Sequence, residues 1–133
     1  MNKCIVLLFM FLSGTVHSQV KTTFLCVSSD SIGYTYKSKG SWEPAFFQKN
    51  EPAKYLIKYE NLDWTWTKFG ETRYLPCNKP ELTTGDVVCP NNLGQFVFNI
   101  QSMRFIRSYL SGYVSGDEKS NTPSITIGKC SPI

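Results

Sequence analysis

The chain has 133 residues, of which 41% are hydrophobic, 14% aromatic and 18% charged, and it carries a formal charge of +4. That composition is too apolar and too aromatic for a disordered chain. It leaves room for one domain with a modest core and excludes a two-domain enzyme or a doubly wound nucleotide-binding fold with a substrate domain. The lysines are scattered singly and no basic run appears, so the positive excess is no footprint for nucleic acid.

Residues 1–18 read as a secretory signal peptide, an address rather than part of the fold. Lys3 supplies the positive start, CIVLLFMFL is an unbroken apolar run, and Val16-His17-Ser18 puts small residues where a signal peptidase reads, which predicts cleavage after Ser18. The run is too short to cross a bilayer core of about 30 Å, and no other run approaches that length, so the protein is not expected to span a membrane. The mature domain is then residues 19–133, secreted or periplasmic. Loss of Lys3 lowers its charge from +4 to +3.

Cys4 leaves with the signal, and Cys26, Cys77, Cys89 and Cys130 remain. An even count in an exported chain predicts two disulfides. Cys77 and Cys89 bracket a loop rich in Pro and Gly, which favours a local bridge; Cys26 and Cys130 would then join the first and last strands. Metal binding is not expected, because there is no C-x-x-C spacing and no histidine to complete a tetrahedral site. The one histidine is His17, inside the expected signal. Its loss removes Ser-His-Asp and Cys-His hydrolysis, histidine-based ribonuclease chemistry and histidine-ligated metals. Oxidised cysteines supply no thiolate nucleophile. A carboxylate pair remains as the one enzymatic route, but the acidic residues mostly sit beside turn residues or on alternating strands, where solvated acids lie. The domain is therefore read as non-catalytic, with no cofactor.

The hydrophobic pattern of the mature chain has period two throughout, which predicts strands and no helix. Residues 22–27 (TTFLCV) and 32–37 (IGYTYK) form an expected hairpin, with Ser28-Ser29-Asp30-Ser31 as its turn and Ile32, Tyr34 and Tyr36 on one face. Residues 42–47 follow, demoted to an edge by Pro44. Residues 53–60 (AKYLIKYE) and 64–69 (WTWTKF) are strands, the latter with Trp64, Trp66 and Lys68 on one face, and residues 72–75 follow. Residues 76–94 read as a long loop pinned by Cys77 and Cys89. Residues 95–100 place Phe96 and Phe98 together. Residues 103–114 read as a long strand, 115–123 as a polar tip, and 124–129 (SITIGK) as a closing strand with Ile125 and Ile127 inward. The expectation is an all-β antiparallel meander forming a small barrel or a two-sheet sandwich.

Phe96-x-Phe98-Asn99, Arg104-Phe105, Tyr109 to Gly112-Tyr113, Thr122-Pro123 and Ile127-Gly128-Lys129-Cys130 resemble the ending of a group of small exported Gram-negative bacterial proteins that carry no assigned activity. The resemblance covers about 40 residues. It implies a periplasmic or secreted β domain and transfers no catalytic residue. The chain is more loosely similar to periplasmic C-type lysozyme inhibitors, small disulfide-bonded β-barrels, although Ser111-Gly112-Tyr113 is too short to match their inhibitory loop. The likeness stays at the level of fold.

The candidate ligand-binding residues are Trp42, Trp64, Trp66, Arg104, Tyr109 and Tyr113. The tryptophans could stack on a sugar or an apolar ligand, or they could pack a core. Arg104, Arg107 and Arg73 could hold an anion, or they could form structural pairs. Tyr109 and Tyr113 could line a pocket mouth. The leading expectation is a binding module for an unknown protein, glycan or small apolar ligand. The alternatives are an inhibitor of a secreted hydrolase such as lysozyme, inserting the loop between Cys77 and Cys89, and a carboxylate-dependent glycan hydrolase. A ligand-binding barrel calls for a cavity, an inhibitor for a filled interior with a rigid exposed loop, and a hydrolase for two carboxylates in a cleft.

Overall fold

Among the described residues the alternating pattern resolves into nine strands and no helix. The computed structural model describes residues 21–47, 50–114, 116 and 122–133; the expected signal peptide and most of the polar tip at 115–123 lie outside them. The strands are β1 (Thr22–Tyr36), β2 (Trp42–Phe46), β3 (Lys54–Glu60), β4 (Asp63–Lys68), β5 (Leu75–Pro76), β6 (Asp86–Asn91), β7 (Gly94–Asn99), β8 (Arg104–Tyr109) and β9 (Ser124–Pro132). No helix among the described residues is long and apolar enough to cross a membrane.

All pairings are antiparallel, and the order is β5-β4-β3-β1-β9-β8-β7-β6, with β2 added to β1. The two ends of this order meet. Cys77, just after β5, is bridged to Cys89 on β6, and the Asn78 N–H donates to the Val88 carbonyl at 2.7 Å, so the sheet curls into a nearly closed barrel. Strand β1 is the hub. Its first half pairs with β3, its second half pairs with β2 on the same side, and β9 runs along its other edge. The second disulfide, Cys26–Cys130, joins directly opposed residues of β1 and β9 and is buried. Both bridges match the expected pairing and suit an oxidising compartment.

Alternate residues of each strand point inward, and in this barrel those residues are large rings. Phe24, Trp64 and Phe98 form one group, with Phe24 stacked on Trp64 at 6.1 Å and tilted against Phe98 at 5.1 Å. Tyr55, Trp66, Phe96 and Phe105 form another, in which Phe96 stacks on Trp66 at 5.0 Å and on Phe105 at 4.9 Å, while Tyr55 meets Phe96 edge-on at 5.3 Å. Small residues opposite make room for the rings. The Phe105 ring lies 2.5 Å from where a Cβ on Gly128 would stand, so only glycine fits there. A barrel of about eight strands has an interior just wide enough for side chains to fill, and these rings fill it.

Several expectations fail for identifiable reasons. Ser28-Ser29-Asp30-Ser31 is not a hairpin turn; β1 runs through it as one strand of 15 residues with a register shift between Ser28 and Asp30. Ile125 and Ile127 point outward, each nearly half exposed, and the inward positions of β9 are Thr126, Gly128 and Cys130. The expected loop at 76–94 contains β6, which pairs with β7 around a turn at Asn92-Leu93. The long strand expected at 103–114 ends at Tyr109.

The two bridges close loops of very different length, 104 and 12 positions. In the chain-entropy picture they stabilise the fold by about 5 and about 3 kcal/mol. Replacing Cys26 and Cys130 together by alanine should lower the urea midpoint more than replacing Cys77 and Cys89. The reverse order would mean that the local bridge is the main brace.

Candidate functional site

The bulge in β1 sets up the most distinctive surface of the molecule. Ser28 lies opposite Gly128 and Asp30 opposite Ile127, so Ser29 is an extra residue. An extra residue bends a strand and shifts which residue numbers face each side. Below the bulge, even-numbered Phe24 and Cys26 face inward; above it the odd-numbered residues do. Ser31 shares a hydrogen bond of 2.9 Å with inward Thr126, while Ile32 and Tyr34 are about half exposed. The bulge is held by its neighbours. The Ala53 N–H donates to Ser28 Oγ at 2.7 Å, the Ser28 N–H donates to the Ala53 carbonyl at 2.9 Å, and the Phe47 N–H donates to the Ser31 carbonyl at 2.8 Å. The chain from β2 to β3 is thereby tied around it.

The inner face above the rings is consequently polar. A groove of about 740 Å³ opens there, lined by Ser28, Ser31, Tyr55, Arg107, Ser124 and Thr126, with Phe46 and Phe47 at its side. Tyr55 belongs to both layers: it packs on Phe96 and Phe105 below and lines the groove above. Arg107, on β8, is half-buried. Its guanidinium carbon lies 5.9 Å from the Tyr55 ring centre and 5.6 Å from that of Tyr109. Its Nε is buried with no hydrogen-bond partner. The ion pairs among the described residues are Lys21–Glu60 and Lys37–Glu43, both exposed, so no described acid lies within 4.0 Å of Arg107. Burial pushes the Tyr55 phenol above its ordinary value, and the adjacent Arg107 charge and hydrogen bond partly offset this. The described residues contain no group of three or more His, Cys, Asp or Glu able to hold a metal ion.

The residues singled out from sequence fall in five places. Trp64 and Trp66 are buried in the ring layers. Trp42 is half-buried on β2, edge-on to Tyr36 at 5.6 Å and to exposed Tyr113 at 5.7 Å, so Trp42 and Tyr113 do come together, outside the groove. Tyr109 flanks Arg107. Arg104 is exposed at the start of β8, paired in register with Asn99 and Lys129, and does not line the groove. Exposed Arg73 contributes its carbonyl, which accepts from Thr67 Oγ1 at 2.8 Å. Sequence reasoning missed Tyr55 and the hydroxyl-bearing Ser31, Ser124 and Thr126. One signal was present for β9: once Cys130 is bridged inside the barrel, Gly128, Thr126 and Ser124 must share its face.

A second feature is the loop between the Cys77–Cys89 sulfurs. The Gly85 N–H donates to the Glu81 carbonyl at 2.9 Å and the Ile100 N–H to the Gly85 carbonyl at 3.1 Å. Asn99 Nδ2 donates to both the Thr84 carbonyl and Asp86 Oδ1 at 2.7 Å. Leu82 stands fully exposed on this braced turn. Comparison with family models, with curated proteins and with solved structures gives no match.

The raised Tyr55 value has a defined consequence for stability. A phenol is neutral when protonated, so the folded state holds this proton more tightly than the unfolded chain, whose value is 10.0. The associated stability is complete below that pH and is lost as the pH rises through the folded value. The fall in Tm above about pH 10 should be shallower in Tyr55→Phe than in the parent. Equal slopes would place the phenol in water.

Proposed function

We propose that the chain is an exported, non-catalytic binding protein, secreted or periplasmic, that seats a small ligand in the groove above its ring-filled interior. The observation that carries this is the change in the inner face. Aromatic rings occupy it up to Tyr55, and beyond Tyr55 hydroxyls of Ser31, Ser124 and Thr126 share the lining with apolar side chains around an arginine that no described acid approaches within 4.0 Å. Burying a charge without a partner is costly, and such groups collect where a ligand completes them. The groove falls in the size range of small-molecule sites. The glycan-hydrolase reading is less well supported, since that chemistry calls for two carboxylates and the lining among the described residues includes one, Asp30.

A second reading, inhibition of a secreted hydrolase such as lysozyme, has one observation in its favour: an exposed Leu82 on a loop held by a disulfide and side-chain hydrogen bonds. Rigid loops lose little entropy on docking. On this reading the protein slows lysozyme digestion of bacterial cell walls and Leu82→Asp abolishes the effect.

The two readings separate in an NMR fragment screen on the mature protein. Binding in the groove should move the amide signals of Ser31, Tyr55, Arg107 and Thr126. Ser124→Phe, which fills the groove from its rim, should suppress binding at least tenfold while leaving the Phe96 and Phe98 signals in place. Binding that survives Ser124→Phe, or that maps to residues 80–85, would contradict the groove reading.

A further inference from the structure

We infer that the groove selects a carboxylate: a small organic acid whose anion pairs with Arg107 and whose apolar body lies against Phe46 and Phe47. The inference rests on the groove being the ligand seat and adds the chemistry that it recognises. An arginine carries five N–H donors in a planar fork that matches a carboxylate. The charge of Arg107 is positioned without a neutralising partner among the described residues. Two tyrosine rings hold the guanidinium at 5.9 and 5.6 Å, no acid among the described residues lies within 4.0 Å, and the buried Nε donates to nothing. Aromatic faces fix a cation in place, and the hydrogen bond to Tyr55 spends one of the five N–H donors, which leaves an N–H edge for a ligand. A carboxylate fits that edge with two parallel hydrogen bonds, the strongest pairing available to arginine.

The surroundings add donors and apolar surface. Ser31 Oγ and Thr126 Oγ1 lie 2.9 Å apart, and that bond uses one of their two hydroxyl hydrogens, which leaves the other for an incoming oxygen. Phe46 is 84% exposed although it sits beside the groove, and Phe47 lies over Gly33, whose position a Cβ could not share. An exposed ring and a half-buried one lining the same groove as the cation suit a ligand with an apolar body behind its anion. Asp30 also lines the groove, at the rim and outward of the bulge. Its negative charge disfavours a second charge on the ligand, so a monoanion is preferred over phosphate.

The test uses the mature protein with three probes: 3-phenylpropanoate, its uncharged counterpart 3-phenylpropan-1-ol, and inorganic phosphate. The readouts are the Arg107 Nε–H resonance and the amides of Ser31 and Thr126. The acid should move all three saturably and bind at least tenfold more tightly than the alcohol and than phosphate. Arg107→Gln should remove the preference for the acid, and Arg107→Lys should retain part of it. Comparison of acid with alcohol needs no variant, so a variant that fails to fold does not remove the test. Equal binding of acid and alcohol in the groove would overturn the carboxylate inference and leave the ligand seat standing. Tighter binding of phosphate would overturn the preference for a monoanion with an apolar body. Saturable acid binding that leaves Arg107 Nε–H unmoved, or no saturable binding of the acid, would also overturn the inference. The fragment screen then decides the ligand seat independently.

Discussion

The extra residue at Ser29 in β1 is the constraint from which the rest of the molecule follows. Strand β1 touches β3, β2 and β9, so any bend in it is imposed on three neighbours. The bulge ends pairing with β3 at Val27 and lets β2 take over at Ile32. It also moves the inward set from Phe24 and Cys26 to Ser31 and Gly33. A bulge is a common device for re-aiming side chains near a site. Here it divides one continuous sheet into a lower part that is packed and an upper part that is open.

The two parts have different chemistry for physical reasons. Below the bulge, rings from five strands interlock, and both disulfides have at least one sulfur-bearing residue with no exposed surface. Large rings bury much apolar area and fix their neighbours through offset and edge-on contacts, so this part supplies stability and a rigid floor. Above it, hydroxyls and Arg107 replace rings. Such a surface contributes little to folding, and its arginine is a liability unless something pairs with it. The boundary is Tyr55, whose ring packs on Phe96 and Phe105 while its hydroxyl end meets Arg107. A tyrosine at such a boundary satisfies an apolar side and a polar side at once.

Much of the fold is legible in the sequence and most of the groove is not. Alternation identifies strands, and the four cysteines beyond residue 18, two of them bracketing a loop, give both bridges. Trp64 and Trp66 are correctly placed on one face, but alternation alone does not say whether that face meets a ligand or a core. The bulge is hidden because Ser-Ser-Asp-Ser has the composition of a turn, and turns and bulges draw on the same small polar residues. The isoleucines of β9 mislead for a different reason. Apolar residues are common on surfaces, and the small residues between them are the ones that make room for Phe105. The contact between Tyr55 and Arg107 joins residues far apart in the chain, and no local pattern encodes it.

The reversal of facing along β1 is tested most directly by substituting two adjacent residues above the bulge and measuring unfolding in urea. Ile32 is 48% exposed, whereas a Cβ on Gly33 would stand 2.1 Å from the Pro123 carbonyl oxygen. Ile32→Lys should therefore leave stability within about 0.5 kcal/mol of the parent, the usual range for surface changes. Gly33→Val should lose about 2 kcal/mol or more through overpacking. A destabilising Ile32→Lys beside a tolerated Gly33→Val would mean that Ile32 faces the interior. The strand would then run without the reversal, and the polar upper face would not exist.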